Sequence, residues 1–396
     1  MELKERIRQL AADILPWVIG DRRHLHQNPE LSFREFKTAA YVKSRLDEME
    51  IPWKVVTETG IAALITGDLP SGEVVALRAD MDALPITEMN SCTYVSENPG
   101  VMHACGHDAH TASLLGAAFI LKKLTPHFGG TVKLIFQPGE EMLPGGASLM
   151  IREGVLEDPH PSAVFGQHVM PSLESGKIAI RKGKHMASMD EIIVRVKGKG
   201  GHGAQPHLNI DPVSITAQII VALQQVVSRM ADPTMPTVLS FGKMIANGAI
   251  NIIPDEVYLE GTFRTFSESW RNEAHFRMKK IAESVASGMG GSCEFKIVKG
   301  YPFLTNEEKL TEQVTNLAMD YLGKENVVPA DLWMAAEDFS YYSQERDACF
   351  YLLGVGNNKK NIGASLHSPH FDIDENALSI STGLMAFIAI SRMGNR

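Results

Sequence analysis

The chain has 396 residues, more than one small hydrophobic core organises, which predicts two domains. A formal charge of −9 and the lack of any Lys/Arg-rich run argue against a nucleic-acid or anionic-membrane surface, leaving small molecules as the expected partners. Four cysteines, none in a close Cys-x-x-Cys pair, argue against a disulfide scaffold and fit a reducing cytosol.

Met1 to Leu15 alternates charged and apolar residues at helical spacing without an uninterrupted apolar core, which predicts a helix and not a secretory signal. With no apolar run elsewhere long enough to span a bilayer, the expectation is a cytoplasmic, unprocessed protein. Arg22-Arg23-His24-Leu25-His26 follows; with no acidic partner or glycine turn beside it, it reads as a polar helix end. A second helix-like stretch runs from Thr38 to Met49. Ile61 to Ile65, Val74 to Ala79 and Val132 to Phe136 read as short buried strands, with a helix from Thr111 to Leu124 between the last two. This rhythm predicts an α/β protein with a mostly parallel sheet, whose function collects at the carboxyl ends of the strands.

Two strands deliver carboxylates to that edge. Val74 to Ala79 ends in Asp80-Met81-Asp82, and Val132 to Gln137 ends in Pro138-Gly139-Glu140-Glu141. Between them, Met102 to His110 packs one cysteine, three histidines and one aspartate into nine residues. A thiolate and an imidazole two positions apart, Cys105 and His107, can turn toward one point across Gly106, which suits a transition metal. The competing reading is a histidine-rich surface loop, because Cys-x-His matches no fixed zinc spacing, and Asp108 can serve simply as a helix cap. Neighbours on extended backbone point to opposite sides, so one of Glu140 and Glu141 could bind a metal while the other stands over a water. His168 follows the strand-like Val164 to Gln167, and His367 and His370 lie beyond the strand-like Cys349 to Leu353.

From residue 184 to residue 298 the pattern changes to β-α-β-β-α-β, a ferredoxin-like unit inserted into the first domain. Its strands are expected around Ile192 to Val196, Thr237 to Met244, Glu256 to Arg264 and Cys293 to Val298. Its helices are expected from Asp211 to Arg229 and from about Ser269 to Ser287. The predicted organisation is therefore a sheet domain in two parts, 1–183 and 299–396, around an insert at 184–298. The insert carries the glycine-rich turn Gly200 to His207, the turn Asn251 to Asp255, and Arg264 at a strand end. None has the spacing of a dinucleotide or phosphate-loop fingerprint.

Together these pieces resemble the M20 metallopeptidase family. The resemblance rests on Cys105-Gly106-His107-Asp108-x-His110, Gln137-Pro138-Gly139-Glu140-Glu141, Gly166-x-His168, Gly200-Gly201-His202-Gly203-Ala204-x-Pro206-His207, Asn251-x-Ile253-Pro254-Asp255, Ala336-Glu337-Asp338-Phe339 and His367-Ser368-Pro369, in that order. The set is similar to that of the amidohydrolase branch, which includes hippurate hydrolases, auxin-conjugate hydrolases, N-acetyl-diaminopimelate deacetylases and some carboxypeptidases. The resemblance implies that Cys105, His107, Glu141, His168 and His367 bind two divalent metal ions, zinc, manganese, cobalt or nickel, with Glu140 as general base. Asp80 and Asp108 are expected behind the ligands, with Arg78 not a ligand. The insert would be a lid and homodimerisation domain, with His202 as oxyanion donor to its own site or the partner subunit's, and Asn251 and Arg264 as holders of a substrate carboxylate. The implied reaction is hydrolysis of an N-acyl-L-amino acid. A metallocarboxypeptidase or dipeptidase with the same atoms, a cysteine hydrolase using Cys105 and His107, and an inactive binding homologue are the alternatives.

Overall fold

The buried apolar runs become the middle of an eight-stranded sheet in the computed structural model, which describes residues 2–394. The chain divides into two units. The first comprises Met1–His185, Thr305–Asp331 and Asp338–Arg396, and the second Met186–Leu304 and Leu332–Glu337.

In the first unit, Gly129–Gln137, Leu69–Asp80, Ala163–Glu174 and Asp347–Gly356 lie side by side and parallel. Their continuous apolar character suits a sheet covered on both faces. Trp53–Val55 and Ile61–Thr66 add antiparallel strands at one edge, and Ile178–Ile180 and Val327–Pro329 complete the other. Register sets the functional edge. Asp80 pairs with Gln137, and Leu77 pairs with Phe165, so Asp80 and His168 each lie three residues beyond a matched pair.

The helix His107–Lys123 connects Leu69–Asp80 to Gly129–Gln137 and is buried on nearly every face. Such a helix belongs between layers and not on a surface. Gly116 permits this: an added Cβ would stand 2.8 Å from side-chain atoms of both Thr382 and Val18. The C-terminal helix Ala377–Arg392 packs here, and its apolar face joins the core that includes Val75, Leu77, Leu134 and Phe165.

The second unit is an antiparallel sheet in the order Thr237–Ile245, Glu256–Thr265, Asp190–Lys197, Ser292–Lys299. Ile192, Val194 and Val196 are buried while Glu191, Arg195 and Lys197 are exposed, the alternation of a sheet with one wet face. The helices Pro212–Gln225 and Glu268–Gly288 cover the other face. Asp211 starts the first by accepting the Val213 and Ser214 N–H groups, and Ser267 starts the second by accepting that of Trp270. The first helix continues through a wide turn to Met230. By length and composition, Pro212–Met230 is the one helix among the described residues that could cross a membrane. Ile215, Ile219, Leu223 and Val226 nonetheless recur at helical spacing in the core against the sheet, as in a packed core helix.

Candidate metal centre

Gly106 sets the approach to the site. It has φ 85°, and a Cβ there would lie 2.3 Å from Val169 Cγ2, so glycine is required and its neighbours Cys105 and His107 are held against the strand end. Both are buried. His107 Nδ1 donates to the Asp82 carbonyl at 2.9 Å and lies 3.2 Å from Asp82 Oδ1, which turns Nε2 toward the neighbouring donors. That Nε2 is buried and has no hydrogen-bond partner. Burial alone would lower the pKa of His107, but Asp80 and Asp82 outweigh it and hold it at about 10. The same concentration of negative charge would stabilise a metal cation.

His168 Nδ1 donates to its neighbour's carbonyl, Val169 O, at 2.8 Å, and its Nε2 lies 3.3 Å from Cys105 Sγ. Burial pushes the imidazole well below its ordinary pKa, and burial followed by the charges of Glu141 and Glu140 pushes the thiol well above. Glu141 Oε1 lies 3.2 Å from His367 Nε2, and His367 is fixed at φ 62° by donating its N–H to Ala104 O at 2.8 Å. Cys105 belongs to two groups of close donors, one with His107 and His168 and one with Glu141 and His367. A third joins His107, Glu140 and Glu141, and within each group the atoms lie within 4.8 Å of one another. Thus Cys105, His107, Glu140, Glu141, His168 and His367 come together from four separate stretches of sequence.

The other nearby histidines take different parts, although His110 forms a further close group with Asp80 and His107. His110 Nδ1 bonds Asp80 Oδ1 at 2.6 Å and its Nε2 accepts the Val169 N–H at 2.9 Å, so neither nitrogen is left for a metal. His103 is buried and pushed down to about 4 by burial, and His370 is exposed; neither joins a donor group among the described residues. Asp80 also accepts Arg78 Nη1 at 2.6 Å. Burial would raise its pKa, yet His107, Arg78 and His110 hold it well below the usual carboxylate range. Arg78 points away from ligation, bonding Gln137 Oε1 at 2.9 Å and Asp338 Oδ1 at 2.8 Å.

Asp82 is the residue to which sequence reasoning gave no role. Besides orienting His107, its Oδ1 and Oδ2 accept the N–H groups of Glu140 and Glu141, each at 3.0 Å. The Asp80-x-Asp82 spacing was the available signal, since alternate residues share a face.

The reading of Arg22 to His26 as a polar helix end needs correction. Arg22 and His26 are fully buried, and Asp108 Oδ2 accepts Arg22 Nε at 2.8 Å and contacts His26 Nδ1 at 2.7 Å. The acidic partner missing from the local sequence lies 86 residues away from Arg22. Asp108 therefore caps no helix with its side chain; it anchors the start of the His107–Lys123 helix to its neighbour Leu15–Gln27. Burial would raise its pKa, and Arg22 and His26 reverse this and lower it.

In the second unit, His202 and Asn251 lie beside each other. His202 pairs with Ile252 in a two-stranded ladder, and Gly203 N–H donates to Asn251 O at 2.9 Å. His202 Nδ1 accepts the Ala204 N–H at 3.1 Å, which leaves Nε2 as the protonated, donating nitrogen. Arg264 is half-buried on the Glu256–Thr265 strand. Its Nε donates to Thr262 Oγ1 at 3.2 Å, while its two terminal nitrogens make no hydrogen bond among the described residues.

Over 394 residues, the chain is 38% identical to thermostable carboxypeptidase 2 of Saccharolobus solfataricus, covering 98% of this chain and 99% of the relative. It is 44% identical over 307 residues to the N-acyl-L-amino acid amidohydrolase of Geobacillus stearothermophilus, covering 77% and 82% of the two chains. Among solved structures, the YXEP protein of Bacillus subtilis, described as a dinuclear metal binding peptidase, superimposes with a TM-score of 0.83 at 35% identity, covering 97% of this chain and all of that one. Residues 76–390 match the family described as Peptidase family M20/M25/M40. Because that match runs from inside the Leu69–Asp80 strand into the C-terminal helix and takes in all six clustered side chains, the chain belongs to peptidase family M20/M25/M40.

Proposed function

We propose that this protein hydrolyses the amide bond of N-acyl-L-amino acids, with divalent metal ions held by Cys105, His107, Glu141, His168 and His367. The observation that carries this reading is the buried Nε2 of His107, which has no hydrogen-bond partner and is directed by Asp82 into a cluster of metal-binding atoms. Two donor triads sharing Cys105 fit a pair of ions. Thiolate with imidazole favours zinc, and carboxylate with imidazole admits manganese, cobalt or nickel. When bound, such ions supply a Lewis acid for the amide carbonyl and acidify water.

The protein's own groups do the rest. Glu140, buried beside the donors, takes a proton from the attacking water and passes it to the leaving nitrogen. His202 offers Nε2–H to the developing oxyanion. Arg264 presents its terminal nitrogens to the substrate carboxylate, with Asn251 as a second polar contact.

The substrate is proposed from the likeness to the Geobacillus amidohydrolase, and the likeness to a carboxypeptidase supports a short-peptide alternative. Release of free amino acid from N-acetyl, N-benzoyl and dipeptide substrates, with metal-loaded and chelator-stripped protein, decides between them. Metal-dependent release from acylated amino acids is expected. Release from dipeptides alone would move the assignment to a peptidase.

The insert at 184–298 acts in this proposal as lid and homodimerisation surface. Among the described residues, eight of the thirteen exposed large hydrophobic side chains lie in the smaller unit, including Val221, Met244, Ile245 and Ile250. Such enrichment is what an association surface needs. The four cysteines are unpaired, in keeping with a cytosolic protein.

A further inference from the structure

Three consecutive backbone N–H groups, of Gly139, Glu140 and Glu141, are all accepted by buried carboxylates. Asp82 takes the second and third at 3.0 Å each, and Glu35 Oε1 takes the first at 2.8 Å. Glu35 comes from the loop that joins the helices Leu15–Gln27 and Phe36–Glu48. It is fully buried, and its Oε1 also accepts the Phe33 N–H at 2.8 Å while Oε2 accepts the Thr59 hydroxyl at 2.8 Å. Ser32, three residues earlier, donates its hydroxyl to Asp82 Oδ2 at 2.6 Å. Between them, Phe33 sits at φ 63° with its ring against Gly139, where an added Cβ would stand 2.3 Å from the ring.

Burying a carboxylate in a core is unfavourable, and an apolar side chain would fill the same space without that penalty. Burial, and then the charge of Asp82, push the Glu35 carboxyl up to about 7. Its retention needs a reason, and its hydrogen bonds supply one. Gly139 is tied at both ends, its N–H by Glu35 and its carbonyl by the Gly146 N–H at 3.0 Å. With Gly139 at φ 59°, small rotations there would swing the next two side chains.

We propose that Glu35, together with Ser32 acting through Asp82, is a positioning residue that locks the Gly139–Glu141 turn and so aims Glu140 and Glu141. The catalytic consequence rests on the hydrolase reading above; the mechanical one does not. The segment Ser32 to Glu35 is thus a brace reaching across from the far N-terminal side of the sequence.

Deuterium uptake by metal-free protein tests the brace directly, followed in the peptide spanning residues 137–142. Glu35→Ala is expected to speed exchange in that peptide by about tenfold or more, leaving the Leu69–Asp80 strand unchanged, because local opening reports lost local hydrogen bonds. Glu35→Gln keeps an acceptor oxygen and should restore most of the protection. Ser32→Ala should give a smaller increase and serves as the test if Glu35→Ala does not fold. Unchanged exchange at the turn in these variants would overturn the brace.

On metal-loaded protein, kcat per bound metal should fall about tenfold in Glu35→Ala, with KM within about threefold, as for a misaimed catalytic group. A looser turn with unchanged kcat would refute the positioning role. If the unmodified protein hydrolyses none of the substrates, the hydrolase reading fails while the exchange result still judges the brace.

Discussion

Glu140 and Glu141 are neighbours whose side chains meet different surroundings. Glu141 lies beside His367, whereas Glu140 is buried against the start of the Asp338 segment, whose N–H approaches Glu140 Oε1 at 3.4 Å. Glu140→Gln should therefore bind metal as the unmodified protein does but lose turnover by at least about 10²-fold, the usual scale for a general base. Calorimetric metal titration beside the amino-acid release assay checks both halves, and retained turnover would remove Glu140 from its role. Asp82→Ala should act differently, weakening metal binding by about 10- to 100-fold because it frees the imidazole of His107. The donors themselves were legible in the sequence, since Cys105-Gly106-His107 and Glu140-Glu141 each bring two of them within three residues. Arg22, His26, Glu35 and Asp82 were not, because each acts through a partner distant in the chain. A buried Arg and His look like a polar helix end until Asp108 arrives from the start of the neighbouring helix, more than 80 residues away in the chain.

At the scale of elements, hydrophobic period was enough to find the central strands and the helix between them, and the insert's β-α-β-β-α-β order follows from it, whereas the helices Gly146–Arg152, Glu308–Leu322 and Ala377–Arg392 went unplaced. What period does not reveal is how the insert's entry and exit strands are fastened. Asp190, on entry, is buried and bonded by Arg271 Nε at 2.9 Å and Arg271 Nη2 at 2.5 Å, and contacts His275 Nε2 at 2.6 Å. Arg271 also donates to Met189 O and Gly300 O at 3.0 Å, joining the first and last strands through the helix Glu268–Gly288. Removing one partner strands the other charge, so Arg271→Leu should destabilise the insert by about 3–5 kcal/mol, read as an earlier urea transition. Burial would raise the Asp190 pKa, but His275 and Arg271 depress it. The stability it contributes is therefore present above the ordinary carboxylate pKa and is lost as pH falls through the depressed value. The gap between the unmodified protein and Asp190→Asn should accordingly shrink in acid.

For the molecule as a whole, the proposed dimer joins architecture to chemistry. The Thr237–Ile245 strand ends the insert's sheet with one edge unpaired, and Met244 and Ile245 on it are exposed at 48% and 38%. An open edge carrying apolar side chains is normally covered, and a second copy of the same edge covers it with two-fold symmetry. Sedimentation should give a species of about twice 43.5 kDa, and Met244→Lys with Ile245→Glu should shift it to monomer. If His202 then serves the partner's site, two inactive proteins become informative when mixed. A His202→Ala chain keeps Glu140, and a Glu140→Gln chain keeps His202. A dimer of one with the other contains a single site with both groups intact. Random reassortment makes half the dimers mixed, each with one working site of two, so about a quarter of the unmodified activity should return. If His202 acts within its own chain, every site in the mixture lacks one group and activity stays at the level of the separate variants.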